Sequence, residues 1–395
     1  MHVALVGDHP LPGELSRGGV QRVVEVLRRE IARTVRVTLF VPSTRKALRH
    51  QDKYGEIIYL GRPPGPGFLS YWSVTSFAVF QEIKRLQPDI IHVQDVAGLA
   101  LFWPFREALR CPMIFTAHGV LEADLLYTSQ RDNLRRATAA LRSKIVGIVE
   151  RRSRKLYDST IVINDYVLEA MPDVIQRRHH FIPNPIDDVF FKVPTQKPKQ
   201  KPELVLIQVG VISPLKNILG SVRIAAELIA MGHPVRLGII GPVSDNGYYT
   251  SCLEEIRHLN LETAVTFHGS LSPEEVACQM DKADLLILPS KQEMAPMVIA
   301  EAHCRGLPVA GPRAFGVRSM ISEGKDGIFL DGPGAREDAE SIAALLAKEP
   351  DREAIRANAR TTYELKSVID RTLSVYREAL ESRSFQTLPA VMTEA

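Results

Sequence analysis

The sequence is poor in cysteine and tryptophan, and it has no apolar run near the roughly 18 to 20 residues that a bilayer crossing requires. Any membrane contact is therefore expected to be peripheral. Cys111, Cys252, Cys278 and Cys304 are scattered with no Cys-x-x-Cys pair, which argues against a zinc site and against a disulfide framework. Reduced thiols in a cytoplasm are the expectation. The opening His2-Val-Ala-Leu-Val-Gly7 turns polar too soon for a signal peptide and reads as a first strand. No Asp-x-Asp, no His-Glu-x-x-His, no phosphate loop and no Gly-x-Gly-x-x-Gly is present, so neither a metal nor a bound cofactor is expected.

What is present points to two domains. A chain of 395 residues exceeds one ordinary core and suits two domains of roughly 150 to 200 residues. The net charge of +3 conceals an asymmetry. Residues 1–201 carry 30 Lys plus Arg against 20 Asp plus Glu, and the remainder carries 19 against 26, giving +10 and −7. Such a split fits a first half that meets anionic lipid or a phosphorylated acceptor, and equally fits two domains that attract each other. Strand-like runs at 3–6, 35–40, 90–93, 113–116, 161–163 and 180–182 alternate with helix-like runs at 20–32, 73–86 and 143–156. Alternation of this kind predicts a doubly wound parallel sheet. The polar stretch Val193 to Pro202 reads as a linker, after which the alternation restarts and runs through Ala283 to Leu288. A last helical region is expected over Arg356 to Ser382, and a disordered tail over Ser384 to Ala395.

One segment carries more functional information than the rest. Ala283 to Pro289 suits a strand buried on both faces, Pro296 suits the first turn of a following helix, and Gly306 suits its end. Glu293 stands on the joint and Glu301 about two turns into the helix. Unpaired helix-start amides at the C-terminal edge of a parallel sheet receive anions or sugar hydroxyls. The plain alternative is that Glu293 favours the helix dipole and Glu301 is a solvated residue.

The flanking residues favour the functional reading. Glu293, Glu301, Ala302, Gly306, Pro308 and Val309 resemble the Glu, seven residues, Glu signature of the retaining glycosyltransferases of the GT-B fold, family 4. The resemblance implies two Rossmann-like parallel-sheet domains facing across a cleft. It sets an acceptor-side domain at 1–193, a nucleotide-sugar domain at 203–360, and a C-terminal helix at 361–382 crossing back to the first domain. The missing Asp-x-Asp and phosphate loop agree with it, since the metal-dependent transferase fold and P-loop hydrolases both lose support.

Other residues take roles from the same resemblance. Glu293 and the amides of Met294, Ala295, Pro296 and Met297 would position the donor sugar, apart from Pro296, which has no amide hydrogen and contributes only shape. Glu301 would take the ribose hydroxyls. Lys216, in Val209-Gly-Val-Ile-Ser-Pro-Leu-Lys216, would neutralise the departing diphosphate. Val211 departs from the pattern, which has Arg there; Arg313 is a conceivable substitute. Gly241, Gly269 and Leu271 would line the nucleotide pocket, and Gly316 a further turn. In the first domain, Gly18 and Gly19 open a helix whose apolar positions are Val20, Val23, Val24, Leu27 and Ile31. They would admit the donor phosphates, whereas a glycine pair alone is more often just a loop. His118, in Thr116-Ala-His-Gly119, would contact the transferred sugar, though a lone histidine is more often structural.

Basic residues Arg131, Arg135, Arg136, Arg142, Lys144, Arg151, Arg152, Arg154 and Lys155 alternate with Leu134, Leu141, Ile145, Ile148 and Val149. They read first as an amphipathic helix with a solvated face, second as a dock for anionic membrane. No nucleic-acid module accompanies them. The expected activity is transfer of a hexose or amino sugar from a nucleotide diphosphate to a sugar, lipid-linked or small-molecule acceptor. The setting would be glycan, polysaccharide or glycolipid synthesis in the cytoplasm or at the inner membrane face. Two alternatives stand: a weakly active nucleotide-sugar-binding subunit, motivated by Val211, and an epimerase or sugar phosphorylase on the same scaffold. Ser43 to Trp72 are expected to contribute to acceptor recognition.

Overall fold

The computed structural model describes residues 1–16, 18–44, 46–61, 74–94, 106, 108–119, 133–192 and 203–386. The expected linker at 193–202, the tail from 387 onward, Arg131 and all of 62–73 lie outside them. Contacts divide the chain into two compact units. One comprises Met1–Gly13, Val20–Pro183 and Lys366–Ala395; the other comprises Glu14–Gly19 and Asn184–Leu365.

In the first unit, strands β1 (His2–Val6), β2 (Arg36–Thr44), β3 (Leu48–Asp52), β4 (Gly55–Gly61), β5 (Ile90–Val93), β6 (Met113–Ala117), β7 (Ser159–Val162) and β8 (His179–Phe181) form one sheet. Its order is β3-β4-β2-β1-β5-β6-β7-β8. Strands β5, β6 and β7 are buried at every residue, as parallel strands covered on both faces must be. Helices α1 (Gly19–Ile31), α2 (Ser76–Leu86), α3 (Asn133–Arg154) and α4 (Asp165–Ala170) connect them. On α1, Val23, Val24, Leu27 and Ile31 are buried, so the helical spacing read from the sequence marks the packed face.

The sequence reading assigned no strand between Ser43 and Trp72, and β3 and β4 lie there as an antiparallel pair. The cause is on α1. Arg28, buried although charged, reaches across to Asp52 (Nη1 to Oδ2, 2.9 Å) and to the Gly55 carbonyl (2.9 Å), fixing the turn between the two strands. Leu48 to Asp52 alternates between partly and fully exposed positions on a sheet edge, so no apolar run announces it.

In the second unit, β9 (Leu204–Val209), β10 (Val235–Ile240), β11 (Val265–Gly269), β12 (Leu285–Ile287), β13 (Val309–Gly311) and β14 (Gly327–Phe329) run parallel in the order β11-β10-β9-β12-β13-β14. Helices α5 (Ile218–Ala230), α6 (Asn246–His258), α7 (Pro273–Lys282), α8 (Met297–Cys304), α9 (Ala335–Leu346) and α10 (Arg352–Tyr363) alternate with them. Local chemistry sets several helix starts: Asp245 caps α6 by accepting from Tyr248 N, and Ser272 with Glu275 closes a capping box on α7. A core of Leu206, Leu237, Ile239, Leu285 and Ile287 with Val222, Ala225 and Ile342 underlies the sheet.

The last helical region is two helices rather than one. Glu364 has an extended backbone (φ −51°, ψ 118°) and ends α10, after which α11 (Leu365–Gln386) packs with the first unit.

Candidate active site

The order of the second sheet reverses between β9 and β12, since the chain grows outward from β9 to β10 and β11 and then restarts on its other side. At such a switch point the loops leaving the two strands part and open a crevice at the C-terminal edge. Lys216 follows β9 and Glu293 follows β12, and their side chains form an ion pair, Nζ to Oε1. Glu293 is 9% exposed and the Lys216 side chain 23%.

Backbone bonds hold the two loops against each other. Lys291 N donates to Leu215 O (2.8 Å), and Asn217, in the left-handed conformation at φ 50°, donates Nδ2 to Pro289 O (3.1 Å). Gln208 Nε2 donates to Lys216 O (2.7 Å), and Gly316 N donates to Glu293 O (3.1 Å). Lysine offers three donors and carboxylate several acceptor sites, so the pair presents a cation for phosphate beside an acceptor for hydroxyls. Three polar atoms nearby in sequence, Gln208 Oε1, Ser290 Oγ and Gln292 Oε1, are wholly buried and accept or donate nothing. The sequence reading missed all three, because a single polar residue at a strand end carries no motif.

Pro296 is the N-cap of α8 rather than a residue of its first turn; its extended ψ of 113° delivers Met297 as the first helical residue. No side chain caps this helix, and Met294, Ala295, Pro296 and Met297 form its approach. Glu301 lies partly exposed in the middle of α8. Burial, and secondly the Glu301 charge, push the Cys304 thiol well above its ordinary range, so that thiol stays protonated. Gly241 ends β10 at φ 143°, and a side chain there would drive into the Gly210 carbonyl oxygen. Gly269 and Leu271 leave β11 at the same edge.

Val211 is half-buried in the loop that carries Lys216. Arg313 does not stand in for the missing arginine. Its guanidinium is engaged by Asp331 (2.6 Å) and Glu323 (2.7 Å) and lies over the Phe329 ring at 4.2 Å.

Gly18 precedes α1 and Gly19 opens it, both within the short segment Glu14–Gly19 that groups with the second unit, and a Cβ on Gly18 would meet nothing within 4 Å. His118 follows β6 and is almost fully buried, with Nε2 bonded to Gln94 Oε1 (2.7 Å). Burial lowers its pKa to about 4, and burial aided by His118 lowers that of His92 to about 3. Both imidazoles are neutral at pH 7. Gln94 and His92 were not singled out by sequence, since His-Val-Gln reads as strand interior.

Helix α3 bears out part of the amphipathic pattern. Ile145 and Ile148 are exposed with Lys144, Arg151, Arg152 and Lys155, whereas Arg154 is buried in a bidentate pair with Asp173 (2.8 and 2.9 Å). Arg154 therefore anchors the helix and leaves the basic face. Side chains at 133–142 lie outside the described residues. Among the described residues no helix is long and apolar enough to cross a membrane.

Two family models match in tandem: Glycosyltransferase Family 4 over residues 17–190 and Glycosyl transferases group 1 over residues 190–362. The chain is 27% identical over 426 aligned positions to a D-inositol 3-phosphate glycosyltransferase of Thermobispora bispora, covering 98% of this chain and 96% of that protein. It is 24% identical to an alpha-monoglucosyldiacylglycerol synthase of Streptococcus pneumoniae, covering 98% and 88%. Among solved structures, sucrose-phosphate synthase from Thermosynechococcus elongatus superposes with a TM-score of 0.78 at 17% identity, covering 96% of this chain and 99% of that one. Anabaena Alr3699/HepE, solved in complex with UDP-glucose, superposes at 0.71 and 16% identity, covering 95% and 100%. These likenesses establish the GT-B fold.

Proposed function

The chain belongs to the glycosyl transferases group 1 family of GT-B glycosyltransferases, and from that premise we propose that it moves a hexose or amino sugar from a nucleoside diphosphate to an acceptor hydroxyl, with retention at the anomeric carbon. The observation that carries the reading is the Lys216 and Glu293 pair on the two loops of the switch point. Lys216 neutralises the departing diphosphate, Glu293 and the amides of Met294, Ala295 and Met297 hold the sugar hydroxyls, and Glu301 takes the ribose. Gly241, Gly269 and Leu271 line the base pocket, Gly18 and Gly19 admit the phosphates, and His118 meets the transferred sugar. The bond from the anomeric carbon to the phosphate oxygen breaks, the acceptor oxygen takes its place on the same face, and its proton passes to the departing phosphate.

Uridine diphosphate is the first donor to try, because the Anabaena neighbour was solved with UDP-glucose. A lipid-linked or sugar acceptor at the inner membrane face fits the exposed Ile145 and Ile148 among four cations. Lys216 supplies the charge compensation that a metal supplies in other transferases, so turnover is expected to survive EDTA unchanged.

The test is a thermal-shift screen of UDP, GDP, ADP and their sugar conjugates, with Glu301→Ala as control, followed by product NMR to read the anomeric configuration. Stabilisation by one nucleotide family, lost in the variant, is expected. No shift with any nucleotide, or an inverted product, would sink the assignment. A second reading, a nucleotide-sugar-binding subunit of low turnover, is favoured by Val211 and by the engagement of Arg313 with two carboxylates. Val211→Arg separates the two: a gain in turnover supports the transferase, and tight donor binding with no turnover in either form supports the subunit.

A further inference from the structure

Behind His118 lies a chain of buried hydrogen bonds that ends on the C-terminal helix. Gln94 Oε1 faces His118 Nε2 at 2.7 Å. Gln94 Nε2 faces His92 Nε2 at 2.8 Å and Thr116 Oγ1 at 3.1 Å. His92 Nε2 is also 2.7 Å from Thr116 Oγ1, and His92 Nδ1 is 2.6 Å from the Tyr376 hydroxyl on α11. His92 and Tyr376 have no solvent exposure and Gln94 has 1%.

The proton of the His118 ring follows from donor and acceptor counting. The Gln94 amide nitrogen can only donate, and it has an acceptor in Thr116 Oγ1 (3.1 Å) whichever nitrogen of the neutral His92 ring carries the proton. The Gln94 oxygen can only accept, so His118 Nε2 must bear the proton of that ring. His118 Nδ1 is left with a lone pair; it bonds to nothing among the described residues and is not one of the wholly buried orphan atoms.

Resting on the reading above that His118 meets the transferred sugar, we propose that Gln94 is a positioning residue which locks His118 as the Nε2-protonated tautomer and so makes its Nδ1 a hydrogen-bond acceptor for a sugar hydroxyl. Thr116 Oγ1 accepts from the Gln94 amide nitrogen, and His92 lies against that nitrogen while bonded to Tyr376, which ties the surroundings of Gln94 to α11. A reversed amide would do the opposite: it would donate to His118 Nε2 and turn Nδ1 into a donor. The orientation of one side chain therefore decides whether the imidazole accepts from the sugar or donates to it.

The experiment reads the imidazole nitrogens of the ligand-free full-length protein by NMR at pH 7, with His118 assigned by its loss in His118→Asn. Wild type is expected to show a protonated Nε2 and an unprotonated Nδ1. Gln94→Leu is expected to mix the tautomers and lower kcat roughly tenfold, the size of one lost positioning bond, with a smaller change in KM. Gln94→Glu keeps the acceptor: it is expected to retain the Nε2 proton, to raise the His118 pKa, and to recover part of the turnover lost in Gln94→Leu. A merely structural glutamine would show none of this pattern. A protonated Nδ1 in wild type, or unchanged nitrogen signals in folded Gln94→Leu, would overturn the proposal. The sugar contact is tested apart from it, because His118→Ala with unchanged kcat would remove that contact while the nitrogen signature stands.

Discussion

Lys216 and Glu293 are each other's counterion before any donor arrives, and this shapes what either can do. Under the proposed function, a diphosphate that engaged Lys216 would compete with Glu293 for it and free the carboxylate to accept from sugar hydroxyls. Both charges therefore stay useful only as a pair. Lys216→Met and Glu293→Gln are each expected to lower kcat/KM by about 10²- to 10³-fold, the range for one lost electrostatic contact in a preorganised site. In the double variant the losses should fall short of their product, because each single change already strands the other group. Steady-state kinetics on the four forms measures the coupling, and fully multiplicative losses would contradict it. At this scale a motif in the sequence led to Glu293 and Lys216, and the structure pairs them on the loops that follow β12 and β9. The sequence was silent on Gln94, His92 and Ser290, because their roles come from what other strands place beside them. Gln94 meets His118 across 24 positions, and Tyr376 meets His92 across 284.

Among the elements, legibility followed burial. Strands β5, β9 and β10 were read with the ends they have, since a strand covered on both faces is an apolar run bounded by polar residues. β3 was not, because it is an exposed edge strand secured by Arg28 from α1, and β4, although its Ile57, Ile58 and Tyr59 form a buried apolar run, was passed over with it. Arg28→Met removes the guanidinium from the Asp52 carboxylate, which keeps only the Tyr54 amide (2.8 Å), and from the Gly55 carbonyl. The expected cost to the first unit is about 2 to 4 kcal/mol, the lower part of the range applying because Asp52 is partly exposed. Asp52→Asn should cost less, as the amide oxygen still accepts and the neutral group is cheaper to desolvate. Urea melts of the three forms would show the order, and an unaffected Arg28→Met would mean that the turn is held by its backbone alone.

For the whole molecule, the restart of strand and helix alternation in the second half was enough to read two sheets, whereas the return of the C-terminal helix to the first unit was expected from the family resemblance alone and not from periodicity. That return also carries a stability consequence. His92 and His118 have native pKa values of about 3 and about 4, set by burial, and an unfolded histidine titrates near 6.5. Below pH 6.5 the unfolded chain therefore binds protons that the native one refuses, so stability rises with pH across this window and is lost as pH falls through it. Each histidine contributes about 2 kcal/mol of loss between pH 6.5 and pH 5. His2, His9, His180 and His303 are shifted in the same direction, chiefly by burial, and steepen the slope. The lowered carboxylates Asp52, Glu82 and Asp173 act in a lower range, where they begin to protonate in the unfolded chain. Denaturant unfolding at pH 7 and pH 5 should thus show a marked loss of stability in acid. His118→Asn, which removes one such group, should flatten the slope by about 2 kcal/mol over that interval. A slope that His118→Asn leaves unchanged would mean that the imidazole can take up a proton in the native protein.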